Sequence, residues 1–520
     1  MSSNNRIEIF YSILFILIVT FFLFMNPFLR YPFDMYAHLE LIDKNYFNSS
    51  IPKNREFWHW IWAKIFYLFN IDNSQIFLRA YVIHYVQILI SFGAVFYLSK
   101  VVIKYFFIDI NNFDIKYLSL WSTFIWFTIY ATQSMGFHQV WILWYSINYQ
   151  ITLPIVLFML GITISLLYSS HNIYYRIFYI FIILFLAIIV VKMHVMELLY
   201  YLMYVFTLGI IYIDKIFIYI RKNIYISIGI FSGVGLFIIK LPVLLSHIES
   251  KSSRIIPYLH FSKIHELYYQ IMRDGAILIH GRNRAQDSIN ELIYVSIFLI
   301  IILILFIIFR YIKFKRCDIN VRLLLFLVIT TLFVLIPTFQ FTSGLAGILV
   351  SSIDVVNRFY YSSLIFLVIP IFTYYFIKIV GRKNIFYVNI AIISILISTL
   401  IYSKYYSQNH NYYKNIKSIV NSYDKKNVGF HLNKEQIKEI GKLRDIYKKK
   451  LNINKPYFFA REDIAFVLKF IYREKVDLPE HYNGGYLNIN FFIKDFNKTK
   501  SNNKILFETP NNFPNYTPYK

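Results

Sequence analysis

Long apolar runs recur along most of this chain, and they restrict its fold more than any other feature of the sequence. A helix of ~20 residues crosses a hydrocarbon core of about 30 Å, and these runs reach that length. Hydrophobic residues make up 58% of the chain and charged residues only 16%, which excludes an ordinary soluble domain. We therefore predict a polytopic α-helical membrane protein with about eleven transmembrane helices.

The predicted spans follow the apolar runs to within a few residues at each end. They cover residues 9–29, 81–103, 115–132, 148–169, 176–193, 196–214, 223–246, 291–311, 323–341, 360–378 and 385–403. The first run has no small-residue cleavage site and is longer than a signal-peptide core. We expect it to be retained as the first helix.

The formal net charge of +25 is compatible with nucleic-acid binding, but the positions of the basic residues favour another explanation. Many Lys and Arg residues flank the apolar runs, where they fix orientation and meet anionic headgroups. The chain has no zinc-type Cys/His cluster, basic zipper or RNA-recognition motif, so we expect membrane lipid and no nucleic acid as partners. The single cysteine, Cys317, excludes an internal disulfide and a multi-cysteine metal site.

Four short connectors between predicted spans are rich in basic residues. They contain Lys100 and Lys104; Lys215, Arg221 and Lys222; Arg310, Lys313, Lys315, Arg316 and Arg322; and Lys378, Arg382 and Lys383. If the helix count is right, all four fall on one side, which the positive-inside rule assigns to the cytoplasm. The N-terminus is then cytoplasmic, while loops 30–80, 247–290 and 342–359 and the C-terminus lie outside.

The last part of the chain, residues 404–520, differs in composition from the rest, because it is charged and rich in Asn and Lys. The stretch "NKEQIKEIGKLRDIYKKK" has Glu/Lys pairs at helical spacing and predicts an exposed amphipathic helix. Short apolar alternations such as "KPYFFA" and "YLNINFFI" indicate strands. We predict a transmembrane domain over residues 1–403 and a small extracytoplasmic α/β domain over residues 404–520.

The first outer loop opens with "RYPFDMYAHLELID", in which acidic residues lie next to the membrane edge. A helix that begins near Pro32 places Asp34 and His38 on one face, while Glu40 points elsewhere. Both acids are candidates for function, although stabilisation of a helix N-terminus or simple solvation also accounts for them. Asp43 is expected to be solvated.

The same loop continues as "IPKNREFWHWIWAKIFYLF", where aromatic and basic residues alternate at helical spacing. The segment is too short to span a membrane, so the pattern is typical of a helix that lies in the interface. Arg55 and His59 lie in this segment.

This order of features resembles the GT-C glycosyltransferases. The segment "PFDMYAH…IPKNREFWHW" is similar to the acidic first-loop segment of bacterial members, and "QVWILWYSINYQITLP" and "DVVNRFYYSSLIFLVIP" resemble later loop elements. The resemblance implies an enzyme that moves a sugar from a polyprenyl-phosphate carrier to an acceptor outside the bacterial cytoplasmic membrane. Within the superfamily, size, basic aromatic-rich composition and the outer tail look most like the serotype-converting O-antigen glucosyltransferases of bacteria and their phages.

The resemblance also implies roles for individual residues. In the family the first-loop acid takes the proton of the acceptor hydroxyl, which points to Asp34, with Glu40 as the substitute and His38 beside them. The sequence alone does not choose between the two acids.

The leaving phosphate is anionic, so cationic groups near the outer leaflet would stabilise it. Arg358, just before an outer-side span, is one candidate, with an interfacial arginine in an aromatic belt as the alternative. The group "VVKMHVME" supplies Lys192 and His194, with Glu197 to orient one of them. A structural Lys–Glu pair is the alternative there.

The sugar and the acceptor glycan require aromatic faces and hydrogen-bonding groups. The candidates come from two segments: Trp141, Trp144 and Asn148, and the first-loop residues Arg55 and His59. An ordinary aromatic belt at the membrane interface explains the tryptophans equally simply.

No cofactor is identified from the sequence. There is no P-loop, HExxH or D-x-D motif, and although some superfamily members use a divalent metal, no ligand set for one stands out. The expected partners are a polyprenyl-phosphate sugar and a lipid-linked glycan acceptor, together with a flippase and a polyprenyl-phosphate sugar synthase.

Two other functions fit a polytopic protein of this kind. An O-antigen or capsule polymerase typically keeps its large loop between later spans, whereas the acidic motif here lies in the first loop. A transporter or flippase of lipid-linked sugars predicts charges inside several spans. The mid-span regions here are nearly free of charge, with Lys240 the main exception.

Overall fold

The structure is a computed structural model, and it describes part of the chain. The described residues are 38–39, 41–47, 50, 57–71, 75–132, 148–168, 172–194, 196–222, separate positions between 298 and 312, 319–336, 362–380, 434–451, 457–459, 464, 467–468, 472, 474–477 and 504–506.

Most of the described residues are helical. The helices are α1 (Phe57–Leu68), α2 (Ile76–Phe106), α3 (Asn112–Thr132), α4 (Asn148–Tyr168), α5 (Ile173–Met193), α6 (Met196–Ile211), α7 (Ile213–Lys222), α8 (Val321–Thr331), α9 (Ile365–Val380) and α10 (Lys434–Leu451). A 3-10 turn, Leu332–Leu335, extends α8. The strands are β1 (Tyr457–Phe459), β2 (Lys475–Asp477) and β3 (Lys504–Leu506).

Three helices in the described part of the chain are long and apolar enough to cross a membrane: Leu78–Phe106, Ile151–Tyr168 and Ile173–Met193. They correspond to three of the predicted spans, and the shorter apolar helices Glu197–Ile211 and Val321–Thr331 overlap two others. The predicted spans 9–29, 223–246 and 385–403 lie outside the described residues.

The helix ends next to three of the connectors rich in basic residues meet at one end of the helix bundle, which we call the basic end. The backbone N–H of Asn320, just before α8, donates to the carbonyl of Phe106 at the end of α2, at 2.7 Å. Arg322 in the first turn of α8 forms an ion pair with Asp214, just beyond α6. The ends of α2 and α6 and the start of α8, which border three of the four basic connectors, therefore lie together.

A hydrophobic cluster lies at the opposite end of the bundle from the basic end, and we call it the outer cluster. It joins the first-loop residues Leu39 and Ile42 and the buried face of α1 to Ile83 near the start of α2, Ile151 near the start of α4, and Met193 at the end of α5. These helix ends are opposite to those at the basic end. The first loop and the "VVKMHVME" group therefore lie at the same end of the molecule.

The tail contributes to the outer cluster as well. Its members from the tail are Ile440, Phe458, Ile464, Val467 and Leu468. The predicted amphipathic helix is present as α10, and "KPYFFA" contains β1, whereas "YLNINFFI" lies outside the described residues. The three strands form a parallel sheet in the order β2-β1-β3. Because the tail and the first loop belong to the same cluster, they lie at the same end of the bundle.

The close approach of α2 and α4 depends on a glycine. A Cβ atom at Gly161 would lie 2.9 Å from the ring of Tyr97 and 3.2 Å from the Cα atom of Leu98. Small residues at helix interfaces allow this kind of backbone contact between membrane helices. Gly161 therefore sets the spacing of the α2–α4 pair.

Replacement of Gly161 by valine is expected to destabilise the protein by roughly 1–3 kcal/mol, because the backbone of α2 must move away from α4. The thermal unfolding midpoint in detergent measures this effect. Gly93→Val is the matched control, since nothing lies within 4 Å of a Cβ at Gly93. Equal midpoints for the two variants would contradict the assigned role of Gly161.

Candidate functional site

The first loop is folded against the bundle rather than extended over it. His38, Leu39 and residues 41–44 are helical, and Leu39 and Ile42 bury one side of this helix in the outer cluster. Asp34 and Glu40, the two predicted bases, lie outside the described residues. The described part of the segment nevertheless fixes the surroundings of their neighbour His38.

His38 pairs with His59, although 21 positions separate the two residues. The His38 Nδ1 and His59 Nε2 atoms are 2.6 Å apart, and the rings stack with centroids 4.9 Å apart at 12°. The edge of Trp58 contacts His38, with a centroid distance of 5.7 Å. One proton between the two nitrogens makes a hydrogen bond, and a proton on both nitrogens would break it. The pair joins the start of the first loop to α1, which lies later in the same loop.

Burial lowers the pKa of His38 from 6.5 to about 4. The charged imidazolium would lose its hydration among the surrounding aromatic rings, so the neutral form prevails at neutral pH. His38 is therefore a neutral hydrogen-bonding group and not a cation.

We expect the protein to lose stability as the pH falls from about 6.5 towards about 4. In that window the unfolded imidazole of His38 binds a proton while the folded imidazole stays neutral, so protons favour the unfolded state. The loss is roughly 3 kcal/mol at most, by the width of the window. The thermal midpoints of the parent and of His38→Gln, measured from pH 4 to pH 7.5, isolate the contribution of this residue.

At pH 7.5 His38 is neutral in both the folded and the unfolded protein. The difference in thermal midpoint between parent and variant at that pH therefore reports only the lost contact with His59. The parent should approach or fall below the variant as the pH falls. A difference that stays constant across the range would show that His38 titrates normally in the folded protein.

The tryptophans of α1 are packed against protein. Trp58, Trp62 and Phe66 are buried in the outer cluster, while Tyr67 and Leu68 at the end of the helix are exposed. The segment is helical, as predicted, while its location in the membrane interface stays a prediction, and its buried aromatic residues pack behind His38. Their periodic spacing reflects this buried face.

An arginine that the sequence reasoning did not single out connects the loop to α2. Arg79 is 1% exposed, and its Nε and Nη2 atoms donate to the carbonyl of Ile71 at 3.0 and 2.8 Å. Its Nη1 atom donates to Asp43 at 3.3 Å, and its guanidinium lies over the rings of Tyr46 and Phe66. Asp43 is therefore an ion-pair partner and not simply solvated, which corrects the sequence-based expectation.

The "VVKMHVME" group lies beside α1. The Lys192 ammonium lies 5.1 Å from the centroid of the Phe57 ring, at the start of α1. The Nδ1 atom of His194 hydrogen-bonds the carboxylate of Glu197, three residues later. Glu197 therefore orients His194, one of the two arrangements that the sequence predicts. The alternative, a Lys192–Glu197 pair, is not present among these described residues.

Of the remaining predicted site residues, only Asn148 lies within the described part of the chain. Asn148 is the first residue of α4, one turn before Ile151 of the outer cluster. Arg55, Trp141, Trp144 and Arg358 lie outside the described residues. Where the chain is described, no group of three or more His, Cys, Asp or Glu residues is arranged to hold a metal ion.

Two polar residues inside a membrane-length helix also escaped the sequence reasoning. His84 and Gln87 of α2 are 1% and 2% exposed, and Ser91 one turn further donates to the Gln87 carbonyl at 2.7 Å. Polar groups at such positions face the bundle interior because lipid cannot satisfy them. The spacing i, i+3, i+7 in an otherwise apolar run was the signal for this stripe.

No family model, no curated protein and no solved structure matches this chain. The described residues define a mostly helical protein with three helices of membrane-spanning length and apolarity. A conclusion about function therefore depends on the group of side chains at the outer cluster.

Proposed function

We propose that this chain is an integral-membrane glycosyltransferase of the GT-C kind. It moves a sugar from a polyprenyl-phosphate carrier to a glycan such as O-antigen on the outer face of the bacterial cytoplasmic membrane. Glucose is the first candidate for this sugar. The observation that carries the proposal is the meeting of the first loop with the end of α5, where Lys192 contacts α1 and His38 pairs with His59. Basic, hydrogen-bonding and aromatic groups thereby lie around α1 and His38, and His38 lies between the two predicted bases in the sequence.

The transfer reaction needs a base for the acceptor hydroxyl and a cation for the leaving phosphate. The acceptor oxygen attacks the anomeric carbon, and the bond between that carbon and the phosphate oxygen breaks. The acceptor proton passes to a first-loop carboxylate, for which Asp34 and Glu40 are the candidates, and the carrier leaves as polyprenyl phosphate. The Lys192 ammonium lies beside α1, and we assign to it the stabilisation of the negative charge on the leaving phosphate.

His194 has a distinct place in this scheme. Its Nδ1 atom hydrogen-bonds the Glu197 carboxylate, which orients the ring beside the end of α5, where it is a candidate to contact the phosphate or a sugar hydroxyl. His194 thus complements Lys192 as a hydrogen-bonding group.

The rest of the proposal concerns the whole chain. We propose about eleven transmembrane helices, with the basic end in the cytoplasm and the tail as an extracytoplasmic α/β domain beside the first loop. The donor would be made by a polyprenyl-phosphate sugar synthase and brought outside by a flippase. The membership of the tail in the outer cluster supports its placement next to the site.

The direct test is a transfer assay with purified protein in lipid vesicles. The vesicles contain polyprenyl-phosphate-glucose, with other lipid-linked hexoses in parallel, and an O-antigen acceptor. We expect the acceptor to gain the mass of one hexose only when protein, donor and acceptor are all present. Failure of the parent protein to transfer any of several lipid-linked sugars would refute the proposed function.

A further inference from the structure

The helix α7 has the sequence pattern of a helix at a membrane surface. Apolar residues recur at positions 213, 216, 217 and 220, which form one stripe at helical spacing, and the opposite face carries Asp214, Lys215, Arg221 and Lys222. With ten residues, α7 is too short to span a membrane. A short, basic, amphipathic helix of this kind lies in the plane of the interface.

The two side chains of the apolar stripe that the structure describes are exposed. Ile213 is 51% exposed and Phe217 is 63% exposed, so neither side chain is packed into the bundle. Exposed aromatic and branched side chains on one stripe are unfavourable in water. A layer of lipid that covers the stripe would remove this cost, and the location of α7 directly after the apolar helix α6 puts it at the right depth.

The start of α7 is fixed to the rest of the bundle. Asp214 accepts two hydrogen bonds from Arg322, at 3.0 and 2.6 Å. The Arg322 guanidinium also lies over the ring of Tyr212, 4.9 Å from its centroid. Because Arg322 is in the first turn of α8, this contact fixes α7 at the basic end.

The same ion pair changes the charge that α7 presents. Asp214 is the one acid in α7, and its charge is compensated by Arg322. Lys215 and Arg221 remain exposed, so the polar face is cationic. Anionic phospholipid headgroups complement such a face, and each basic residue near the surface strengthens the attraction about fivefold.

We propose that α7 is a binding surface for anionic phospholipid. Its stripe with Ile213 and Phe217 enters the leaflet at the basic end, and Lys215 and Arg221 contact the headgroup phosphates. This inference does not depend on the glycosyltransferase proposal, because it concerns the opposite end of the molecule from the outer cluster.

Site-directed spin labelling of the full-length protein tests the proposal. In a Cys317→Ser background, single labels are attached at Phe217→Cys on the stripe and at Lys215→Cys on the polar face. Phe181→Cys, exposed in the middle of α5, is the reference for lipid, and Lys442→Cys, exposed on α10, is the reference for water. Collision rates with oxygen and with a nickel chelate are measured in phosphatidylcholine vesicles with and without phosphatidylglycerol.

The label at position 217 is expected to favour oxygen over nickel, with a ratio between those of the two references, while the label at 215 resembles the water reference. Phosphatidylglycerol should shift position 217 further towards the lipid reference. Replacement of Lys215 and Arg221 by glutamine should abolish that shift while the label at 181 keeps its value.

Two results would overturn the proposal. A label at 217 that matches the water reference in both kinds of vesicle would show that the stripe does not enter lipid. Spin–spin broadening at 217 that disappears on dilution with unlabelled protein would assign the stripe to a second copy of the chain.

Discussion

Asp34→Asn is expected to reduce sugar transfer by about 10²–10⁴-fold, the usual contribution of a positioned general base. A carboxylate suits this role better than the neighbouring imidazole. Burial favours the protonated, uncharged form of a carboxylic acid, but it opposes protonation of His38, whose pKa is lowered to about 4. The transfer assay described above measures the effect as an initial rate at saturating donor.

Two variants complete this test. Glu40→Gln distinguishes the substitute base, and Asp109→Asn, an exposed acid beside the basic end, is the matched control that should keep the parent rate. If Glu40→Gln rather than Asp34→Asn abolishes transfer, the base is assigned to Glu40. Full activity in both variants would remove the first-loop acid from the mechanism.

Arg79→Met is expected to destabilise the protein by roughly 2–4 kcal/mol. The methionine keeps much of the volume, but it leaves the carbonyl of Ile71 without two hydrogen bonds and Asp43 without its ion-pair partner. The effect should be concentrated in the first loop, because Arg79 joins that loop to α2. Hydrogen exchange of the amides of residues 41–47 should accelerate more than exchange elsewhere in the outer cluster.

Asp43→Asn is the matched control for the Arg79 prediction. The asparagine retains an acceptor oxygen for Arg79, and the side chain of Asp43 is partly open to solvent, so its loss should be about 1 kcal/mol or less. Unchanged exchange of residues 41–47 in Arg79→Met would show that the loop is held in place by hydrophobic packing alone.

Apolar periodicity was a good guide to the helices of the bundle. The predicted span 148–169 corresponds to α4, and 176–193 falls within α5. The prediction 81–103 was too short for α2, because the first turn of that helix carries Arg79. This residue is buried against protein, and a hydropathy argument treats it as the end of a span.

The start of α9 shows a second limit of the same kind. The apolar run predicts a span from residue 360, but the helix begins at Ile365. Before it, the hydroxyl of Ser363 donates to the carbonyl of Thr331, and the carbonyl of Ser362 accepts from the Tyr204 hydroxyl. Such bonds between distant segments satisfy the backbone outside a helix, and the local sequence contains no signal for them.

The candidate site divides in the same way between local and distant contacts. The His194–Glu197 pair could be predicted because its partners are three residues apart around the end of a helix. The His38–His59 and Asp43–Arg79 pairs could not, since each depends on the path of the chain between its members. The sequence therefore identified the residue types at the site but not how they are paired.

The shared cluster of the first loop and the tail has a consequence for biosynthesis. Leu39 and Ile42 are made early, whereas their cluster partners Ile440 and Phe458 emerge only when almost the whole chain has been synthesised. The part of this cluster that the tail completes therefore stays uncovered until the residues of the tail have been made. A chain that terminates before α10 would insert its helices and still leave the loop incomplete, and such a product is a natural target for membrane quality-control proteases.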